Sequence, residues 1–255
     1  MRPNPSPRAT GALAGVWVVL QRELAAAFDS SIAYVATIAA LLALTSVFMN
    51  EFFLAGKLDL GPLFELLPRV LVLYAPALSM RMWSEDLRTR TFELWMTLPL
   101  PPAAVVLGKY LAALALLVLF LAGTLPVVAL LCLLGQPDLG RIAAGYAGAL
   151  LLGSLFLALG ALCSALTADQ IVSFLSAAFL CFLLVFLGDE RVVAVVDGAL
   201  PGLHAGSFLA DHVAALGPYG SFVRGALSLG AACYFLGLAA LCVALTAEVV
   251  RRNRA

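Results

Sequence analysis

The amino-acid sequence predicts an all-α polytopic membrane protein with six transmembrane helices, on three observations. The chain is 63% hydrophobic with a mean hydropathy of +1.04, where a soluble domain is about 45–50% apolar. Its apolar residues gather in blocks of about 20, the length that crosses a hydrocarbon core of about 30 Å. Its charged residues, only 12% of the chain, collect between those blocks and most densely over 84–99. Little chain is left for a soluble domain, so residues 1–255 are expected to form a single transmembrane unit. Net charge is zero, without the basic block that nucleic acid requires. The cysteines (Cys132, Cys163, Cys181, Cys233, Cys242) all fall in apolar runs and form no CxxC pair. They fit small packing residues rather than a zinc site or a disulfide framework.

Each element follows from local pattern. Residues 11–30 place Val16, Val19, Leu20, Leu24 and Phe28 on roughly one face, with Arg22 and Glu23 elsewhere. That suits an interfacial helix bracing the bundle. Its apolar core, Val16 to Leu20, is too short for a secretory signal and no cleavage site follows it. The first span covers 31–54. Lys57, Asp59, Gly61 and Pro62 mark a loop, and the second span covers 63–82, interrupted by Pro68 and Pro76. Glu65 and Arg69, four apart with the acid first, are placed at the outer rim. The third block, 103–134, is longer than a span needs: 32 residues make about 48 Å of helix. Its first turns are therefore expected in the cytoplasmic interface, with Lys109 reaching for headgroups, and Gly123 and Pro126 are expected to kink it.

Gln136-Pro137-Asp138 is a turn, and the fourth span covers 142–166. There Gly145, Ala149, Gly153, Leu157 and Ala161 recur every four residues; four of these are small, which admits a second helix closely. That helix belongs either to this chain or to a partner subunit. A tight loop at 167–170 leads to the fifth span, 170–187. In 188–229 the apolar pieces are too short to span and read as amphipathic or re-entrant helices on the outer side. The sixth span, 230–250, ends at Arg251-Arg252-Asn253-Arg254.

With both termini cytoplasmic, that side holds Arg2, Arg8, Arg22, Arg81, Arg88, Arg90, Lys109, Arg251, Arg252 and Arg254. The outer side holds Lys57, Arg69, Arg141, Arg191 and Arg224. This positive-inside bias places 84–99 in the cytoplasm. Ser84 fits an N-cap, with Glu85 and Asp86 in the first turn, where acids favour the helix dipole. Asp86 and Arg90 are spaced to pair, and Pro99 ends the helix. Phe92, Trp95 and Met96 form an apolar strip. From periodicity alone, this strip fits a helix docked in another protein's groove or aromatics resting in the membrane interface.

The order Pro76-Ala77-Leu78-Ser79-Met80-Arg81, Trp83-Ser84-Glu85-Asp86, Thr91-Phe92-Glu93-Leu94, Thr97-Leu98-Pro99 and Val106-Leu107-Gly108-Lys109 resembles the permeases of type 2 ABC exporters. It is most similar to the gliding-motility-associated subgroup. Glu23-Leu24, Phe28 and Ile32-Ala33-Tyr34-Val35 near the start, and Ser221-Phe222-Val223-Arg224-Gly225 before the last span, extend the likeness over nearly the whole chain. The resemblance implies a bacterial inner-membrane assembly of two six-span permeases and two separate ABC ATPases, which hold the ATP and Mg. No cofactor is implied for this chain. The second permease is a copy of this chain or a relative, and an extracytoplasmic accessory protein is a further possible partner. The resemblance also implies a coupling helix between spans two and three, carried here by Glu85, Asp86, Arg88, Thr91, Glu93, Leu94 and Pro99. Arg90 stands where the family usually has glycine, which implies a stiffer joint.

Other classes fare less well on the residues. Lys109 follows a glycine, but position 103 is alanine where a phosphate-binding loop needs its first glycine. An intramembrane hydrolase is the serious alternative class, although no HExxH occurs and Ser154 has no nucleophile-elbow glycine after it. His204 and His212, eight apart with Asp211 beside them, fit surface histidines of a periplasmic helix better than a metal site. A non-catalytic membrane scaffold stays open on sequence. Thr45, Ser46, Thr124, Ser154, Ser173 and Ser176, polar residues inside spans, fit helix–helix hydrogen bonds or a transport pathway.

Overall fold

The computed structural model describes residues 10–55, 59–89, 101–189, 192–193, 197 and 213–252. Every element among them is a helix. In chain order these are α1 (Thr10–Phe28), α2 (Ser31–Ala55), α3 (Gly61–Ser79), α4 (Arg81–Thr89) and α5 (Pro102–Ala122). They continue with α6 (Leu125–Leu134), α7 (Leu139–Leu166), α8 (Gln170–Phe186), α9 (Leu216–Val223) and α10 (Leu229–Arg252).

The bundle is built around α7, against which α3, α4, α5, α8, α9 and α10 all pack. Its small residues explain why. A β-carbon added to Gly145 would lie 2.7 Å from the Phe64 ring, and one added to Gly153 would lie 2.6 Å from Leu117. At Gly148 it would meet Phe222 at 2.6 Å. Helices α3, α5 and α9 therefore approach α7 more closely than a larger residue permits. The small-residue stripe serves neighbours in the same chain.

Five described segments are long and apolar enough to cross a membrane: Ala33–Leu54, Gly61–Thr89, Pro102–Leu134, Leu139–Leu166 and Leu229–Arg252. Helix α8, a sixth apolar helix, has 17 residues, at the lower limit for a span. Large apolar side chains such as Val35, Leu42, Leu175, Phe179, Leu236 and Leu241 face outward. In water so much apolar surface invites association; around a bundle of this composition it is the surface expected to meet lipid. The chain has the character of a multi-pass membrane protein.

The backbone breaks have local causes. The 103–134 block is interrupted at Gly123-Thr124, with Pro126 in the first turn of α6. The Thr124 hydroxyl and that of Tyr146 on α7 share a 2.6 Å hydrogen bond beside the break. Pro68 has no N–H for the carbonyl of Phe64, four residues earlier. The Tyr219 hydroxyl of α9 donates to that carbonyl at 2.7 Å. A proline gap in α3 thus becomes the socket for the short helix before α10. Burial first, and the nearby Glu65 carboxylate second, push the Tyr219 phenol pKa upward. Asp138 caps α7, accepting from Gly140 and Arg141, and Asp169 caps α8, accepting from Ile171 and Val172. Of the 188–229 region, α9 is described as a tucked helix with Tyr219, Phe222 and Val223 buried; most of 190–212 lies outside the described residues.

Two expectations are corrected. Ser84 is not an N-cap: α4 begins three residues earlier at Arg81, and the Ser84 hydroxyl donates back to the Met80 carbonyl. Lys109 does not reach for headgroups, because it is 4% exposed and held by acids of two other helices. Snorkelling presumes an ammonium without a nearer partner, and here the partners lie inside the bundle.

Candidate functional site

Helix α4 carries the charged sequence directly out of the second long apolar helix. Met80, the residue between α3 and α4, keeps a right-handed helical backbone (φ −56°, ψ −32°). Yet the N–H groups of Trp83 and Ser84 do not rely on the preceding turn alone. Both donate to the Ser164 hydroxyl oxygen of α7, at 3.0 and 3.1 Å, and Ser164 donates its proton to the Met80 carbonyl at 3.0 Å. A side chain from another helix is thus inserted where one helix passes into the next, a recognised cause of helix distortion. One turn earlier on the same face of α7, Gly160 accommodates the Ser79 hydroxyl, so close that any β-carbon would overlap it. The joint between α3 and α4 is therefore seated on two α7 positions four residues apart.

Charge fixes the other sides of α4. Lys109 of α5 donates to the Met82 carbonyl at 2.7 Å and to Asp86 at 2.8 Å. It also lies 3.3 Å from Glu23 of α1 and 5.0 Å from the centre of the Trp83 ring. One ammonium thus ties α1, α4 and α5 together. Gly108 makes this possible, since a β-carbon there would sit 2.7 Å from Val19. Val19 and Glu23 are four apart on one face of α1, so the approach that buries Val19 also carries Glu23 to Lys109. Of the apolar face expected on α1, Val19 is buried, Val16, Leu20 and Leu24 are half-buried, and Phe28 at its end is exposed beside Tyr34.

Arg81 completes the cluster. Its Nε and one terminal nitrogen grip the two Glu85 oxygens at 2.8 and 3.0 Å, and the other terminal nitrogen donates to the Ser30 hydroxyl at 3.0 Å. A forked pair of this kind is directional as well as charged. Ser30 lies between α1 and α2, so α4 is also tied to the link between them.

Of the residues singled out by sequence, Glu85, Asp86 and Arg88 fall on α4. Glu85 and Asp86 turn toward the bundle to meet Arg81 and Lys109, and Arg88 faces outward. Thr91, Glu93, Leu94 and Pro99, with Arg90 and the Phe92, Trp95 and Met96 strip, lie outside the described residues. Sequence reasoning missed Glu23, Ser164 and the burial of Lys109. A glycine next to a lysine within an apolar block was the available signal for the last.

The opposite ends of α3 and α7 carry a smaller polar group. Arg141 pairs with Asp59 at 3.3 Å and donates to the Val223 carbonyl at 2.9 Å. The 19 residues of α3 separate it from the Arg81 cluster by about 28 Å at 1.5 Å per residue, close to the thickness of a hydrocarbon core. Among the described residues no group of three or more His, Cys, Asp or Glu side chains is placed to hold a metal ion. His204 and His212 lie outside them. The Ser154 hydroxyl donates to the Leu151 carbonyl at 2.7 Å within its own helix. No known protein-family model matches the chain, and no curated protein matches it significantly.

Proposed function

We propose that this chain is the transmembrane permease subunit of an ATP-driven ABC exporter, with α4 and the segment after it as the coupling element. In this reading α8 completes a set of six spans, both termini face the cytoplasm, and the host membrane is the bacterial inner membrane. The chain performs no hydrolysis. A separate ABC ATPase carries ATP and Mg, and a second permease, identical or related, completes the transmembrane unit.

The observation that carries the reading is how α4 is held. A charged helix follows directly on an apolar one and is fastened to α7 through Ser164, to α5 and α1 through Lys109, and to the α1–α2 link through Arg81. A helix meant only to rest on a membrane surface has no need of three attachments to the bundle. A helix that passes force from an outside partner does. Binding of a partner that grips this element differently in its ATP-bound and ATP-free states would shift the bundle between two arrangements, by the difference in affinity for each. The accumulation of Arg81, Lys109, Arg251 and Arg252 toward one end of the bundle supports a cytoplasmic placement of that end.

The test is gentle detergent purification from the native cells, wild type beside Glu93→Arg, with ATPase activity assayed in the eluate. An ABC ATPase should co-purify with wild type and be lost or uncoupled in the variant. If no ATPase accompanies the wild-type chain, or the variant retains it with unchanged activity, the coupling role is refuted.

A further inference from the structure

Beside α4, and bordered by α1, α2, α3 and α5, lies a cavity of about 160 Å3. That is an order of magnitude above the roughly 10–15 Å3 that admits one water. Its wall is divided. One part is lined by small apolar residues, among them Ala27, Ala33, Ala77 and Ala112. The other carries Glu23, Ser30, Arg81, Glu85 and Lys109. The two surfaces meet where apolar helices give way to charged sequence, the depth at which a lipid's chains join its headgroup.

The charges set the kind of headgroup. Two cations, Arg81 and Lys109, and two anions, Glu23 and Glu85, line the space, and Asp86, 2.8 Å from Lys109, adds a third acid beside it, so the charges are split in sign with no positive excess. Arg81 uses three of the five N–H donors of a guanidinium on Glu85 and Ser30, which leaves two. Lys109 meets Glu23 through Oε1, which leaves Oε2. A donor pair beside an acceptor, with no positive excess around them, suits a zwitterion whose anion accepts and whose cation donates. We propose that this cavity binds one ethanolamine-headed phospholipid, its phosphate against Arg81 and its ammonium against Glu23, with acyl chains passing over the alanine surface. A primary ammonium donates three hydrogen bonds; the quaternary ammonium of a choline lipid donates none. A net-anionic glycerol headgroup brings no cation to Glu23 and Glu85. The proposal rests on the membrane character of the bundle and is independent of any ATPase partner.

The test titrates the delipidated full-length chain in detergent with dioleoyl phosphatidylethanolamine, phosphatidylcholine or phosphatidylglycerol, counting bound lipids by native mass spectrometry. The ethanolamine lipid should be retained as a single tight equivalent, about tenfold more tightly than the other two, the scale of one charged hydrogen bond. Glu23→Gln should erase that preference. Because Glu23 also supports Lys109, a second variant, Ala77→Leu, fills the cavity with every charge intact and should abolish the tight equivalent. A melting curve is recorded for each variant, so that loss of lipid is read only from folded protein. Equal retention of the three lipids by wild type, or a preference for phosphatidylglycerol, would overturn the proposal. So would an unaltered preference in folded Ala77→Leu. Displacement of the lipid by millimolar soluble phosphoethanolamine, or its replacement by inorganic phosphate, would assign the site to the free headgroup or anion and overturn it as well.

Discussion

Replacing Lys109 by Met is the most informative single perturbation of the bundle. Methionine keeps most of the side-chain length and leaves the neighbouring helices in place, but it removes the cation shared by Asp86 and Glu23. Those carboxylates are 17% and 24% exposed, so neither recovers full hydration. Breaking a buried ion pair from one side costs about 3–5 kcal/mol. The partial exposure of both acids argues for the lower end, about 3 kcal/mol. The loss of the hydrogen bond to the Met82 carbonyl is included in that figure. For a chain of this size each kcal/mol moves the midpoint by about 2–4 °C, so an apparent Tm about 6–12 °C below wild type is expected in detergent at fixed scan rate. The companion is the triple variant Glu23→Gln, Asp86→Leu, Lys109→Met, which removes the uncompensated charges together. Replacing a whole buried ionic group with apolar residues is often neutral or better, and most of the lost midpoint should return. A single variant melting within about 2 °C of wild type, less than 1 kcal/mol by the same conversion, would show that Lys109 is not the tie described above.

Three further outcomes follow from other contacts. Ser164→Ala removes the acceptor shared by the Trp83 and Ser84 N–H groups, at about 1–3 kcal/mol for orphaned buried donors. Amide exchange at 83 and 84 should accelerate, and unchanged exchange would mean that α4 is not anchored there. Gly145→Val forces a side chain against the Phe64 ring, an overpacking cost of about 1–3 kcal/mol. The melting midpoint should fall and partly recover when Phe64→Ala is added. In a cysteine-free background, Arg88→Cys and Gln136→Cys should react with an impermeant maleimide from opposite faces of the membrane; labelling from the same face would contradict the placement of α3 and α7 across it.

What the sequence disclosed and what it hid divide along a physical line. The apolar blocks, the break near Gly123 and Pro126, and the small-residue face of α7 depend on neighbours a few residues apart, where periodicity speaks directly. The fates of Ser84 and Lys109 depend on distant ones. A serine before two acids satisfies the local rule for a helix start, but the oxygen that receives the N–H groups of Trp83 and Ser84 belongs to Ser164, about 80 residues on. A lysine near the end of an apolar block satisfies the local rule for snorkelling, yet its carboxylates come from α1 and α4. Tyr219 and Pro68 make the same point in reverse. The proline shows that the Phe64 carbonyl lacks its usual donor, and only the fold shows which hydroxyl supplies one.

The Ser164 hydroxyl has one proton and two acceptor positions, and all three are engaged with backbone groups of Met80, Trp83 and Ser84. In mechanical terms this is a pinned joint rather than a sliding bearing. Sliding α4 along α7 or rolling it about its own axis breaks these bonds, and rocking it about the pin works against the ties made by Lys109 and Arg81. The nine residues of α4 form an arm of about 13 Å. Rocking it by about 10° carries the far end through roughly 2 Å while the pinned end stays almost still. A pull at the far end is thereby delivered to α7 as a force through the pin, at the helix on which most of the bundle leans.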